Sequence, residues 1–283
     1  MRHAAEVAPQ RWPKGGGCAV TLGQAIIAAP GRRAATSRVP IIMRDRTTSE
    51  EVQTARRYFG SFAEDYHRAF QGAGRELFQG SINRLFRKKT FQLRTHIVSQ
   101  LLSEHGIDGK RVLDLGCGSG EVSILAATLG AHVTGLDIVP QMIALAQQSA
   151  LAAGVADLTE FRVSDIMADR LEPCDVTLLV GVIEYYRDLE TLLRRASEAT
   201  RELLIIADTR GPWWRRLLRR VLARVKRFNL YYRSPAQLTA ILARSGFAER
   251  ARIPGHSFTV LAYNRVTTIS EDLSGVRAGS SPE

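Results

Sequence analysis

The stretch from residue 112 to residue 120 constrains the fold most strongly, and it reads Val-Leu-Asp-Leu-Gly-Cys-Gly-Ser-Gly. Its apolar start predicts a buried strand, and glycines at every second position predict a tight turn in which the backbone can approach a ligand. The amphipathic run from Glu121 to Leu129 predicts a helix. Unpaired N–H groups and the positive dipole end at that helix start favour ligand binding.

The glycine spacing narrows the choice of ligand. A dinucleotide site of the G-x-G-x-x-G type requires a third glycine where this chain has Glu121, and the Gly-Lys-Ser/Thr of a P-loop is absent. Asp114 precedes the first glycine by two residues, which makes it a poor neighbour for a pyrophosphate. The same carboxylate is a good neighbour for a cationic ligand.

An acidic residue followed by G-x-G-x-G resembles the first motif of the class I S-adenosylmethionine-dependent methyltransferases. The resemblance implies S-adenosylmethionine as cofactor, with Asp114 facing its amino-acid end and Gly116 and Gly118 letting the turn pass beneath it. Cys117 then belongs to the cofactor turn as a space-filling residue and not as a nucleophile. The implied fold is α/β and Rossmann-like: a seven-stranded, mostly parallel sheet with an antiparallel last strand and helices on both faces.

Further candidate cofactor residues follow the next two predicted strands. The strand from Ala131 ends at Asp137, where an acidic side chain can accept both ribose hydroxyls. By resemblance, Ile138 belongs to the same site, and Met142, on a helix that begins at Pro140, packs towards the adenine. Phe161–Asp165 is predicted as the third strand. By resemblance Asp165, beside Ile166, accepts from the adenine amine, although an aspartate of a surface turn is an alternative interpretation.

The segment after the fourth predicted strand, Pro173–Val180, supplies the candidate catalytic residues. Ligands of doubly wound sheets bind at the carboxyl ends of the strands, so this segment should face the reactive end of the cofactor. Gly181 is a cofactor-binding candidate, while Glu184 and Tyr185 are candidate general bases. A base is needed only where the acceptor must lose a proton, as for a phenol; a carboxylate acceptor needs none.

A basic amphipathic helix is predicted from Trp213 to Phe228, in a chain of net charge +11 and pI about 10.1. Three interpretations stay open: an insertion covering the substrate pocket, a helix on a membrane surface, or an RNA-facing patch. Two adjacent tryptophans favour an interfacial helix. No RNA-recognition signature accompanies it, so a nucleic-acid partner is disfavoured.

The predicted domain organisation has four parts. Residues 1–42 form a disordered extension, either a mis-assigned start before Met43 or an Arg-rich transit peptide. Residues 43–105 form a helical cover, whose aromatic stripe includes Tyr66, a candidate for cofactor contact. Residues 106–266 form the cofactor-binding domain with the basic insertion 212–229, and residues 267–283 form a disordered tail. Three scattered cysteines predict neither disulfides nor a zinc site, and favour a reducing, cytoplasmic compartment.

The predicted function is methyl transfer to a small molecule, most simply O-methylation of an anionic or lipid-like acceptor. The N/D-P-P-Y/F tetrapeptide of many nucleic-acid methyltransferases is absent after the fourth strand. The layout after the fifth strand is loosely similar to magnesium-protoporphyrin O-methyltransferases, which implies a carboxyl acceptor at a membrane as an alternative. From another class, the rival is a silent methyltransferase fold that binds membrane or RNA; the intact Asp114 and Asp137 argue against it.

Overall fold

The computed structural model describes residues 56–57, 59–60, 81–209, 213–225 and 230–266. All of them belong to one unit of the chain, Thr47–Glu283. The predictions for residues 1–42, for Tyr66 and for the tail 267–283 lie outside the described residues. So does the end of the basic insertion, residues 226–229.

Helices and strands alternate along most of the described chain, as the hydrophobic patterns predict. The strands are β1 Arg111–Leu115, β2 His132–Asp137, β3 Thr159–Val163, β4 Cys174–Val180, β5 Thr200–Thr209, β6 Phe247–Pro254 and β7 Phe258–Arg265. The helices are α1 Ser81–His105, α2 Glu121–Thr128, α3 Pro140–Ala152, α4 Leu189–Ala199, α5 Trp213–Val225 and α6 Pro235–Arg244.

The seven strands form one sheet in the order β3-β2-β1-β4-β5-β7-β6. All pairs from β3 to β5 are parallel, and β7 runs antiparallel to both β5 and β6. This is the predicted methyltransferase-like topology. The strand order reverses between β1 and β4, so a crevice opens at their carboxyl ends, where ligands of such sheets bind.

Two apolar clusters cover the two faces of the sheet. One includes Val112, Val176 and Ile205, and the other includes Leu113, Leu179 and Ile206. Consecutive strand residues point to opposite faces, so a strand covered on both sides must be apolar at nearly every position. This explains why β4 and β5 read as continuous hydrophobic runs.

Two local features were predicted with different success. The start of α6 is confirmed: Ser234 and Gln237 form a reciprocal capping box, with Pro235 in the first turn. The predicted third strand, Phe161–Asp165, was wrong at both ends, because β3 begins at Thr159 and stops at Val163. Beyond it the Asp165 amide donates to Asp169 Oδ2 at 2.9 Å, which closes a turn.

In the part of the chain that the structure describes, no helix is long and apolar enough to cross a membrane.

Candidate cofactor site

Asp114 lies at the carboxyl end of β1 and is 1% exposed. Its Oδ2 accepts a hydrogen bond from Ser123 Oγ at 2.7 Å, whereas Oδ1 is buried and has no partner among the described residues. Burial raises the pKa of Asp114 to about 7, although the Ser123 hydroxyl opposes this rise. A buried acceptor without a donor is costly, so Oδ1 marks a place where a ligand donor fits.

The glycine turn has the left-handed backbone that its sequence predicts, with φ of 76° at Gly116 and 56° at Gly118. The two positions differ in their surroundings. A Cβ at Gly116 would lie 2.4 Å from Val182 Cγ2, while a Cβ at Gly118 would meet nothing within 4 Å. Packing of the protein itself therefore requires Gly116, and only Gly118 borders open space.

The Cys117 side chain points into the core and is 7% exposed. Burial, followed by the nearby carboxylate of Asp114, raises the pKa of its thiol. A protonated, buried thiol is a poor nucleophile, so the geometry supports the space-filling role that the sequence predicts for this residue.

Asp137 ties the end of β2 to the glycine turn. Its Oδ2 accepts from the Gly118 amide and its Oδ1 from the Val139 amide, each at 2.9 Å. Burial raises the pKa of Asp137, and these backbone hydrogen bonds oppose that shift. Each carboxylate oxygen has a second lone pair, so both retain acceptor capacity for ligand hydroxyls.

The residues after Asp137 form a small apolar cluster. Met142 is 3% exposed and packs with Val139, and the partly buried Phe59 and Ile138 lie against them. The carbonyl of Ile138 accepts from Arg56 Nε at 3.0 Å. The predicted positions Ile138 and Met142 are therefore adjacent to Asp137 and beside residues of the N-terminal segment.

Asp165 lies in the turn after β3, partly exposed, and its Oδ1 accepts from the Met167 amide at 2.9 Å. Ile166 is 2% exposed, and its side chain belongs to the core. Tyr186, from the segment after β4, stands near both carboxylates: burial raises its pKa first, and Asp165 and Asp137 raise it further. Tyr186 therefore keeps its phenolic proton in the neighbourhood of the two predicted adenosine-binding acids.

Arg94, which the sequence did not single out, lies beside the candidate site. It lies on α1, is 7% exposed, and its Nε is buried without a hydrogen-bond partner among the described residues. Its Nη1 stands 2.8 Å from where a Cβ on Gly181 would be, so the predicted cofactor residue Gly181 makes room for this guanidinium. The available signal was a charged residue within the apolar stripe formed by Phe91, Ile97, Val98 and Leu101.

The two candidate catalytic residues have different environments. Glu184 is 1% exposed, its Oε1 accepts from Arg219 Nη2 at 2.6 Å, and its Oε2 accepts from the Thr209 amide at 3.3 Å. The ring of Tyr185 is partly exposed and meets the ring of Phe59 edge to face, with centroids 5.1 Å apart. Glu184 is thus hydrogen-bonded to α5 and to the end of β5, while Tyr185 contacts Phe59 beside the cluster around Met142.

These residues suit S-adenosylmethionine. Buried acceptors at Asp114 and Asp137 match an ammonium group and ribose hydroxyls, and open space beside Gly118 matches close backbone approach. Two buried atoms in or beside the candidate site lack a hydrogen-bond partner among the described residues: the donor Arg94 Nε and the acceptor Asp114 Oδ1. A ligand that carries both an acceptor and a donor would satisfy them. In the described part of the chain, no His, Cys, Asp and Glu side chains cluster so as to hold a metal ion.

Comparison with known proteins identifies the family. Residues 107–249, half of the chain, match the model of the methyltransferase domain. The chain therefore belongs to the methyltransferase domain family, whose cofactor is S-adenosylmethionine. This confirms the class of protein and of cofactor that Asp114 and the glycine turn predicted.

Similar proteins include O-methyltransferases. The ubiquinone biosynthesis O-methyltransferase of Azorhizobium caulinodans is 39% identical over 92 residues, which are 32% of this chain and 36% of that protein. The protein of the same name from Xylella fastidiosa is 36% identical over 83 residues, 29% and 34% of the two chains. The matched segments thus span about a third of the length of these relatives.

Among solved structures, magnesium protoporphyrin IX methyltransferase from Synechocystis PCC 6803, with bound S-adenosylhomocysteine, has the same fold. The TM-score is 0.63 at 22% identity, covering 76% of this chain and all (100%) of that one. Mitomycin 7-O-methyltransferase gives a TM-score of 0.52 at 20% identity, covering 65% of this chain and 57% of that one.

Proposed function

We propose that this protein transfers a methyl group from S-adenosylmethionine to an oxygen atom of a small anionic or lipid-like acceptor. The observation that carries the proposal is the buried, unpartnered Oδ1 of Asp114 beside the glycine turn. An acid in that place suits a cationic amino group. The O-methyltransferase names of the relatives support oxygen as the accepting atom.

The cofactor, when bound, supplies an electrophilic methyl group on a positively charged sulfur. Asp114 would hold the amino-acid end, Asp137 the ribose, and Asp165 with Tyr186 the adenine. These groups, at the ends of β1, β2 and β3, would orient the cofactor before the acceptor arrives. Positioning of this kind accounts for much of the catalysis in a displacement whose leaving group needs no proton.

The acceptor half of the site is formed by the segment after β4 together with α5. The aromatic ring of Tyr232 lies 5.2 Å from Arg220 Cζ and 6.0 Å from Arg216 Cζ, and its buried hydroxyl has no partner among the described residues. Positively charged guanidinium groups and a free hydroxyl donor can both bind an anion, so this environment favours an anionic methyl acceptor. Tyr185, which is partly exposed beside this segment, is the candidate to orient a phenol acceptor through its hydroxyl, while the Glu184 carboxylate is engaged by Arg219 and the Thr209 amide.

Two acceptor chemistries fit the proposal: a phenolic hydroxyl, by analogy with the ubiquinone relatives, and a carboxylate, by analogy with the magnesium-protoporphyrin neighbour. They are separated with methyl-tritiated S-adenosylmethionine, the full chain and candidate catechols or acidic tetrapyrroles. A phenolic ether keeps its label in mild alkali, whereas a methyl ester releases it as methanol. Binding of S-adenosylhomocysteine without transfer to any acceptor would instead favour a silent binding module.

We also propose that α5 brings this acceptor site to an anionic membrane surface. Trp213, Leu217 and Val221, spaced by one helical turn, are 71%, 52% and 51% exposed. Arg216, Arg220 and Arg224 are exposed alongside this ridge, while Ala223 on another side of the helix is 2% exposed. An apolar ridge bordered by arginines is typical of a helix lying in the headgroup region of an anionic bilayer.

Vesicle flotation tests this surface. The full chain should float with vesicles containing phosphatidylglycerol and much less with pure phosphatidylcholine. Leu217→Glu should weaken the partition by roughly tenfold, since one leucine side chain is then lost from the apolar contact. The control is Leu151→Glu on α3, whose leucine is 72% exposed and far from α5 in sequence. An equal loss of vesicle binding in Leu217→Glu and Leu151→Glu would reject α5 as the membrane-binding surface.

A further inference from the structure

We infer that the hydroxyl group of Tyr232 donates a hydrogen bond to an anionic oxygen of the methyl acceptor, and that this residue thereby selects charged acceptors over neutral ones. The inference rests on the proposed function and deepens it, because it assigns recognition of the acceptor's charge to one side chain. Tyr232 lies in the chain between α5 and α6, apart from the turns proposed to hold the cofactor.

Tyr232 is anchored at the carboxyl ends of β4 and β5. The amide of the preceding residue, Tyr231, donates to the carbonyl of Glu184 at 2.8 Å, and the Thr209 amide donates to Glu184 Oε2 at 3.3 Å. Glu184 follows β4, and Thr209 ends β5. Ligands of doubly wound sheets bind at this edge, so Tyr232 lies at the same edge of the sheet as the glycine turn.

A series of contacts connects Tyr232 to the candidate cofactor site. Phe59 packs against the apolar cluster that follows β2, and its ring meets the ring of Tyr185 edge to face. Glu184, the neighbour of Tyr185 in the chain, pairs with Arg219. The guanidinium carbon of Arg219 lies 5.9 Å from the centroid of the Tyr232 ring. The series runs from the site of the methyl donor to Tyr232, as a place for the methyl acceptor requires.

The hydroxyl group of Tyr232 is buried and has no hydrogen-bond partner among the described residues. Burial raises the pKa of Tyr232, Arg219 opposes this rise, and Glu184 adds to it, so the group stays a neutral O–H donor. The oxygens of the Glu184 carboxylate accept from Arg219 and from the Thr209 amide instead. A buried donor without an acceptor is costly, so this position lacks an oxygen that a ligand can supply.

Positive charge surrounds the same ring. The guanidinium carbons of Arg216 and Arg220 lie 6.0 and 5.2 Å from its centroid. Neither group forms an ion pair among the described residues, whereas Arg219 is paired with Glu184. Two guanidinium groups without a carboxylate partner favour a ligand oxygen that carries negative charge over a neutral one.

A ligand can reach this hydroxyl from the solvent side of α5. Tyr232 as a whole is only partly buried, and Arg216 and Arg220, which lie against its ring, are exposed. Exposed side chains change rotamer within nanoseconds, so these arginines can turn aside and then contact the anion that enters.

Calorimetric titration of the full chain, saturated with S-adenosylhomocysteine, tests this assignment with two probes. One probe, 3,4-dihydroxybenzoate, carries a carboxylate, whereas its methyl ester keeps the catechol and is neutral. The parent should bind the anion at least about tenfold more tightly than the ester. Tyr232→Phe should weaken binding of the anion by about 10- to 100-fold. Its affinities for the ester and for S-adenosylhomocysteine should stay within about twofold of the parent.

Thermal unfolding of the free chain is a second measurement, and it needs no acceptor. Tyr232→Phe removes a buried hydroxyl without a partner and should raise Tm by roughly 2–4 °C. Tyr263→Phe is the matched control, because the hydroxyls of Tyr263 on β7 and Thr239 on α6 share a hydrogen bond of 3.1 Å. This control should lower Tm by a similar amount and leave the binding of both probes unchanged.

Several results would overturn the inference. They are parental binding of the anion by Tyr232→Phe, equal weakening of both probes in that variant, a Tm that falls as in Tyr263→Phe, and a parent that binds neither probe or prefers neither. Loss of flotation with phosphatidylglycerol vesicles in Tyr232→Phe, with parental binding of the anion, would assign the hydroxyl to a lipid headgroup instead. If the folded parent did not bind S-adenosylhomocysteine, the proposed function itself would fail.

Discussion

The carboxylate of Glu184 and the guanidinium of Arg219 form an ion pair with 2.6 Å between Oε1 and Nη2. Burial lowers the pKa of Arg219, but the Glu184 carboxylate, with smaller contributions from Tyr185 and Tyr232, outweighs this, so the pKa is raised. Glu184 also accepts from the Thr209 amide through Oε2 and from the Tyr231 amide through its carbonyl, at 3.3 and 2.8 Å. Glu184 thereby contacts α5 itself and the residues on either side of it, Thr209 before the helix and Tyr231 after it.

This arrangement predicts that Glu184 is a positioning residue for α5 and not a general base. Arg219→Met should destabilise the fold by about 3–5 kcal/mol, because it leaves a buried carboxylate unpaired. Glu184→Gln should cost less, about 1–2 kcal/mol, since Arg219 keeps a solvent-accessible side chain. Urea unfolding gives these values, and Arg220→Met, an exposed arginine of the same helix, is the control.

Limited proteolysis and turnover separate the two roles of Glu184. If Glu184 positions α5, Arg219→Met and Glu184→Gln should both make α5 more susceptible to protease and should both lower turnover. Neither variant should remove a limb of the pH–rate profile. Loss of turnover and of the acidic limb of the pH–rate profile in Glu184→Gln, with α5 still protected as in the parent, would restore Glu184 as the base.

Asp114 should make the stability of the free protein depend on pH. Its pKa is raised from 3.8 to about 7 in the folded protein, so the folded state binds the proton more tightly than the unfolded chain. The stabilising contribution of this group is present below about pH 4 and is lost as the pH rises through about 7. Relative to Asp114→Asn, the parent should lose on the order of 2–4 kcal/mol of unfolding free energy between about pH 4 and pH 8.

Urea unfolding at several pH values measures that difference. Asp157→Asn, which changes an exposed acid before β3, should leave the pH dependence unaltered. Saturating S-adenosylhomocysteine should shift the window to lower pH, because an ammonium partner favours the ionised carboxylate. A parent and an Asp114→Asn variant that differ by the same amount at every pH would contradict the burial argument.

The two glycines of the turn should respond differently to alanine. Both have positive φ, so each substitution should cost about 1–2 kcal/mol of backbone strain. Gly116→Ala adds a collision with Val182 Cγ2 and should be the more destabilising of the two. Gly118→Ala meets no protein atom and should mainly weaken S-adenosylhomocysteine binding. A thermal melt and a titration on each variant test this; a Gly118→Ala protein with parental affinity would place the ligand elsewhere.

The sequence predicted the fold well because its strongest signals are local. Strands β4 and β5, which are buried on both faces, appear in the sequence as apolar runs. The glycine turn follows β1 directly, and Ser234 with Pro235 indicates the start of α6. Each of these depends on a few consecutive residues, and the order of strands in the family completes the sheet. The end of β3 was missed because the Asp169 side chain, four residues later, captures the Asp165 amide.

The site was predicted only where a motif lies next to a strand end. Asp114, Gly118 and Asp137 were named in this way, and the structure brings Asp137 and the Gly118 amide together at the turn. Arg94 was not named, because its place beside Gly181 comes from a contact between residues that are distant in the chain. Glu184 was predicted as a candidate base without its ion pair, because nothing near it in sequence reveals Arg219 as the partner. Both surroundings are formed by contacts between distant residues, which a pattern of sequence neighbours does not contain.

The most direct test of the account is calorimetric titration of the full chain with S-adenosylhomocysteine, beside Asp137→Ala. Asp137 holds the turn through the Gly118 amide and offers acceptors for the ribose, so its removal affects both. The account predicts one binding site in the parent and at least about tenfold weaker binding in the variant, with Asp157→Ala as an exposed control. No binding by a folded parent, or equal affinity in parent and Asp137→Ala, would contradict it.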